Sequence, residues 1–241
     1  MSPLSRPSIG LIGLGAFGAF ARPHLERLGS VLGHDPARPG GATLAEAASQ
    51  PVVVLAVPVA RLAEVARAIA PHLRPGALVV EVCSLKLRPL AALRAALPAH
   101  VEILGTHPLF GPQSGKDGIE GLRVVVCPGG GAPLRLAARM LRRLGLQVVR
   151  MTPEEHDRQM AWVQGLTHLL GRVVAGLEMP ALPHTTSSFD QLMRATAMVS
   201  QDSEALFRTI TEENPFVEEV KMRLRERMEE ILGPSAMPLA A

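Results

Sequence analysis

Along the first 150 residues the apolar positions gather into short runs, separated by stretches in which they recur every three or four residues. Seven runs rich in Val, Ile and Leu read as strands: SIGLIG, SVLGHD, PVVVLAV, ALVVEVC, VEILGTH, LRVVVC and LQVVRM. The Ala-, Leu- and Arg-rich stretches between most of them read as helices. Strand and helix in alternation predict a Rossmann-type α/β domain, a mainly parallel sheet with helices on both faces. Ligands of such sheets bind outside the carboxyl ends of the strands, so the residues just after each run are the ones to search for chemistry.

Beyond this region the pattern becomes all-helical. Thr152, Pro153 and Glu155 supply an N-cap, a proline at the first helical position and a capping-box acid, and they predict a helix running to about residue 178. On it Met160, Gln164, Thr167, His168 and Gly171 share one stripe, which aims Gln164 and His168 the same way, as a satisfied interior pair or as part of a site. MPALPHTTSS breaks the helix, and two more follow, at 203–213 and after Asn214-Pro215. The last carries Val217, Val220, Leu224, Met228 and Ile231 at spacings of three and four, an apolar face that must be buried. So few helices make a thin core, and pairing with a second copy as a homodimer would relieve that. The expected organisation is a dinucleotide-binding domain over 1–151, a smaller all-helical substrate and dimerisation domain over 152–234, and a tail over 235–241.

Composition narrows the classes. At 47% hydrophobic and 20% charged residues the chain is globular, and a net charge of +3, scattered along the chain, suggests neither nucleic acid nor a membrane surface as partner. Cys83 and Cys127, 44 positions apart, fit neither a metal-ligand spacing nor a disulfide framework, so no metal site and a reducing compartment are expected. The glycines of the apolar start IGLIGLGAFGAF sit at a spacing that a binding loop explains better than a signal peptide does, and a cytoplasmic location is the expectation.

The first run is followed by Gly13-Leu14-Gly15-Ala16-Phe17-Gly18, a G-x-G-x-x-G opening a helix, with Asp35 after the second strand and 20 residues past Gly15. Such glycines permit a tight turn and close approach of a pyrophosphate to a helix N-terminus. Asp35 would bind the adenosine ribose and repel a 2′-phosphate, which favours NAD, with NADP possible through nearby Arg38. Val57 and Pro58 end the third run, and Cys83, Ser84 and Lys86 follow the fourth. Both groups would edge the nicotinamide half of the cleft. Ser84 precedes LKLRPLAAL and also reads as a helix N-cap. Cys83 reads as a small buried residue.

THPLFGPQSG, with GLGAFG and EVCSLK before it and EEHDRQMAWVQGLTHLLGR and DSEALFRTITEENPF after it, resembles the prephenate and arogenate dehydrogenases of tyrosine biosynthesis over nearly the whole chain. The resemblance implies a Rossmann domain joined to a helical dimer domain, and oxidative decarboxylation of prephenate to 4-hydroxyphenylpyruvate, or of arogenate to tyrosine. It casts His107 as the base that takes the proton of the ring hydroxyl while hydride leaves for NAD, and Ser84 as the residue that orients it. An imidazole suits that task at neutral pH. Gln113 and Ser114 would lie beside the substrate, Gln164 and His168 near it on the helical domain. A substrate carboxylate would meet Arg194, whose register slips by up to three residues against the family pattern, with Lys116 and Arg172 as other cations. Neither a fused mutase domain nor a regulatory domain is expected. A β-hydroxyacid dehydrogenase or imine reductase of similar build would share the glycine loop without needing His107, and a protein that only binds a dinucleotide would leave His107 as an interior histidine.

Overall fold

The computed structural model describes residues 6–129 and 134–233. The expected tail over 235–241 lies outside them. The chain divides into two compact units, Met1–His156 and Asp157–Ala241.

The first unit contains β1 (Ser8–Ile12), α1 (Ala16–Glu26), β2 (Ser30–His34), α2 (Leu44–Ala48), β3 (Val52–Leu55), α3 (Val59–Ile69), β4 (Leu78–Glu81), α4 (Leu87–Ala96), β5 (Glu102–Pro108), β6 (Arg123–Pro128), α5 (Leu134–Arg143), β7 (Gln147–Arg150) and the first turn of α6 (Pro153–Met160). The strands form one sheet in the order β2-β1-β3-β4-β5-β6-β7, parallel except for the antiparallel pair β5–β6. All seven expected runs are strands. Their Val and Ile content follows from burial on both faces: Leu55, Val53 and Val79 pack under Leu62, Leu90 and Leu93 on one side, and Leu11 and Val54 with Leu28 and Leu144 on the other.

Register decides what the sheet presents. Ile12 pairs with His34 and Leu55, Leu55 with Glu81, and Glu81 with Gly105. The parallel pairing therefore ends along one rim, at Gly13, Asp35, Ala56, Val82 and Thr106, with β5 running on to Pro108 beside β6. The order reverses at β1, flanked by β2 and β3, which is where a doubly wound sheet opens a crevice.

In the second unit α6 ends at Met160 and is followed by a π turn (Ala161–Gly165), then α7 (Leu166–Ala175), α8 (Ser187–Ser200), α9 (Glu204–Glu212) and α10 (Val217–Leu232). The capping box forms as expected, Thr152 N–H donating to Glu155 Oε2 at 2.8 Å and Glu155 N–H to Thr152 Oγ1 at 3.2 Å. The helix expected from it runs unbroken from Pro153 to Ala175, close to the expected 178, with the wide turn inside it. Periodicity misses such a turn, because one extra residue per turn shifts the stripe without breaking it. Gly165 lies in that turn against α10, where a Cβ would stand 2.9 Å from Val217 Cγ2. Helix α8, capped by Thr186, is one that the apolar pattern did not separate out. Ser203 caps α9.

On α10 the expected apolar face is split. Val217 and Val220 are fully buried within the unit, whereas Met228 is 39% and Ile231 76% exposed. No helix among the described residues is long and apolar enough to cross a membrane.

Candidate active site

The glycine loop stands at the rim between β1 and α1. Gly13 has φ +93°, and a Cβ on it would lie 2.4 Å from Ala56 O. A Cβ on Gly18 would lie 1.9 Å from Gly13 O, so the helix can approach the turn only without one. Around Gly15 a Cβ would meet nothing within 4 Å, leaving backbone clear for a ligand. Gly15 caps α1 without a side-chain hydrogen bond, so the first amides of the helix, at Ala16 and Phe17, keep their pull on an anion. Asp35, after β2, accepts from Leu14 N–H at 2.7 Å and from Ala37 N–H at 2.9 Å. Those two amides, Leu14 first, hold its carboxyl below the usual range. A charged carboxylate tied to the glycine loop is the acceptor to which the hydroxyls of a ribose diol can donate, so these residues fit a dinucleotide. Val57 and Pro58 border the same rim, Pro58 as the cap of α3.

His107 is in β5, 4% exposed, where β5 pairs with β6 opposite Val125. Its Nδ1 lies 2.8 Å from Nε2 of His156, a fully buried residue in the first turn of α6. Burial, then the neighbouring His156 and Lys86, hold His107 well below the ordinary histidine pKa. It is therefore a neutral imidazole at physiological pH, able to accept a proton.

Beneath it lies an ion pair. Glu81, the last residue of β4, and Lys86 are both fully buried and hydrogen-bonded to each other, and Lys86 Nζ also donates to Thr106 O at 2.7 Å. Glu81 accepts from Cys83 N–H at 2.8 Å, and Thr106 Oγ1 donates to Glu81 O at 2.9 Å. Burial pushes the Glu81 carboxyl up against the pull of Lys86, and pushes the Cys83 thiol well up. Cys83 is the inert buried residue expected. Ser84 is not the helix N-cap: Lys86 occupies that position, without a side-chain cap bond, because its ammonium turns inward to Glu81.

The sequence gives no site role to Glu81 or His156, and it sets Lys86 at the edge of the cleft without its buried carboxylate partner. The signals are present: two charges inside the apolar stretch LVVEVCSLK, and a histidine one turn before Met160 on the same helix.

Gln113 and Ser114 lie in the exposed loop after β5, where Gly111 N–H donates to Ser114 Oγ at 3.0 Å. In the second unit His168 is buried, with Nδ1 2.8 Å from the backbone O of Gln164 and Nε2 3.1 Å from Asp202 Oδ2. Gln164 thus meets His168 through its carbonyl, which the stripe did not foresee. Arg194 is exposed on α8 and donates to Asp190 O at 3.3 Å. Arg172 is engaged by Glu204 at 2.9 Å and stacks 4.2 Å from the centre of the Phe207 ring. Lys116 is exposed.

Residues 37–150 match the family described as prephenate dehydrogenase, nucleotide-binding domain. Arogenate dehydrogenase 2, chloroplastic, of Arabidopsis thaliana is 34% identical over 167 residues, 66% of this chain and 47% of that one. A 4-amino-4-deoxyprephenate dehydrogenase of Streptomyces pristinaespiralis is 36% identical over 138 residues, 57% of this chain and 46% of its own. The chain thus spans about half the length of these relatives. Among solved structures, prephenate dehydrogenase from A. aeolicus in complex with hydroxyphenyl propionate and NAD+ shares the fold with a TM-score of 0.74 at 22% identity, over 96% of this chain and 92% of that one.

Proposed function

We propose that this chain, whose residues 37–150 match the prephenate dehydrogenase nucleotide-binding domain, is a member of the prephenate and arogenate dehydrogenase family that oxidises prephenate or arogenate with NAD and releases carbon dioxide. The observation that carries the reading is His107: a buried imidazole held neutral on the rim that also bears the glycine loop and Asp35. The loop and the start of α1 would hold the pyrophosphate, and Asp35 the adenosine ribose. The bound dinucleotide supplies the hydride acceptor. His107 takes the proton of the ring hydroxyl as that carbon becomes a carbonyl, and the loss of carbon dioxide, which aromatises the ring, makes the step one-way. Ser84 is the candidate for orienting His107 and meeting the ring hydroxyl, Gln113 and Ser114 are candidates for lying beside the substrate, and Gln164, His168 and Arg194 are substrate candidates of the helical unit.

The deciding experiment is reduction of NAD, followed at 340 nm, with prephenate, arogenate and 4-amino-4-deoxyprephenate in parallel. The last, named for the Streptomyces relative, carries an amine in place of the ring hydroxyl. Turnover of either hydroxyl substrate supports the reading, and failure with both overturns it. Turnover of simple β-hydroxy acids instead would move the chain to the β-hydroxyacid dehydrogenases. Homodimerisation belongs to the same proposal, supported by the apolar end of α10 left exposed at Met228 and Ile231. So does a reducing compartment such as the cytoplasm, where buried thiols like Cys83 and Cys127 persist.

A further inference from the structure

Two imbalances stand out around His107: a second imidazole in contact with its Nδ1, and a tautomer choice that this contact must settle. The nitrogens are 2.8 Å apart and the rings meet edge to face, at 71° with centroids 5.0 Å apart. That separation holds one proton, not two. If His156 donated it from Nε2, a neutral His107 would carry its own proton on Nε2 and have no lone pair left for a substrate. If His107 donates it from Nδ1, its Nε2 is bare.

We propose that His156 is a positioning residue for His107: it accepts the Nδ1 proton at Nε2, fixes His107 as the Nδ1–H tautomer and leaves the Nε2 lone pair as the base. The inference rests on the functional reading above for what that lone pair does, but the pairing itself is independent of it.

The groups facing His107 explain why an imidazole serves as acceptor. Among them are His156 from α6, Lys86 from the cap of α4 with Glu81 of β4 behind it, and the apolar Val125 from β6. A carboxylate in the place of His156 would favour the imidazolium form of His107 and raise its pKa. A neutral imidazole fixes the tautomer as a carboxylate does but adds no such pull, and it opposes a second positive charge beside Lys86. The base keeps its lone pair into mildly acidic solution. The backbone under both rings is held: that of His107 by the β5–β6 ladder, and that of His156 by the start of α6, its backbone N–H donating to Thr152 O at 3.0 Å.

The test is long-range 1H–15N correlation on histidine-labelled protein, with the His107 signals assigned by their loss in His107→Asn. Wild type should show His107 protonated on Nδ1 and bare on Nε2. His156→Gln, whose carboxamide oxygen can accept the same hydrogen bond, should keep that tautomer, and His156→Ala should lose it. In turnover, His156→Ala should reduce kcat about 10- to 100-fold with the dissociation constant for NAD unchanged, and Gln should recover part of the loss. The acid limb of kcat/KM should move to higher pH in both variants, because the second imidazole that depresses His107 is gone. A purely structural His156 would lower thermal stability without moving that limb or gaining rescue from Gln. A wild-type His107 protonated on Nε2 overturns the proposal, as does an unchanged tautomer and pH limb in His156→Ala. Should the Ala variant fail to fold, the wild-type and Gln spectra still decide. A wild type without turnover of prephenate or arogenate would sink the functional reading while leaving the tautomer result standing.

Discussion

His107 is where residue chemistry can be tested most directly. Its replacement by Asn should reduce kcat about 10²- to 10⁴-fold, the usual cost of removing a general base, and leave NAD affinity nearly unchanged, as read by fluorescence titration. Wild-type turnover in that variant would exclude His107 as the base. Because burial, His156 and Lys86 depress its pKa, His107 stays neutral where an ordinary histidine is half protonated. The acid limb of kcat/KM should therefore lie below pH 6.5, with activity falling only as pH drops through the depressed value. The same shift has a stability consequence of fixed sign: its contribution is complete above pH 6.5 and is lost as pH falls below it, since the unfolded chain then binds a proton that the native site refuses. Asp35 governs cofactor choice on the same rim. Asp35→Ser should raise kcat/KM with NADP relative to NAD, by removing a carboxylate that repels a 2′-phosphate and leaving Arg38 to meet it. A wild type that prefers NADP would contradict the assignment.

Between elements, the buried Glu81–Lys86 pair joins β4, the cap of α4 and β5. Removing one partner strands a charge in a dry interior. Lys86→Met should cost about 3–5 kcal/mol, measured by urea unfolding at pH 8, and less at pH 5, where Glu81, already pushed up by burial, takes a proton. An equal loss at both values would mean that the charge of Glu81 does not set the cost. The charge of α5 also has an arrangement that the sequence reading treated as scatter: Arg135, Arg139, Arg142 and Arg143 gather around one surface hollow. The number of basic residues was legible along the chain, but their gathering depends on which helix face is left outward.

For the molecule as a whole, the split face of α10 changes how the proposed dimer must be probed. Val220→Glu would unfold the second unit, because Val220 packs with Ala161 and Val217 in its own core. The exposed positions are the informative ones. Met228→Glu with Ile231→Glu should yield a folded monomer by sedimentation, with activity lost in parallel at low protein concentration. A wild type that already sediments as a monomer would dispose of the dimer, and a fully active monomeric variant would break the link between assembly and activity.

The sequence by itself determined the strands, the glycine loop and the acid that serves it, since period, turn chemistry and helix caps are local properties. Seven strands, Gly13, Gly18 and the Thr152 capping box follow from neighbours a few residues away, and Asp35 from its place just after the second strand. It also placed His107 near the carboxyl end of its strand, a position that any alternating pattern reveals. Only the tertiary structure decided who stands behind that histidine. Glu81 and Lys86 meet across a loop, and His156 reaches His107 over 49 positions of chain, so no period or motif length connects them. It decided, too, that Lys86 and not Ser84 caps α4, and that a π turn lies within the helix begun at Pro153. In each case burial outweighs local preference: an ammonium satisfied by a buried carboxylate abandons the helix surface, and a helix widens where it must pack closely on its neighbour.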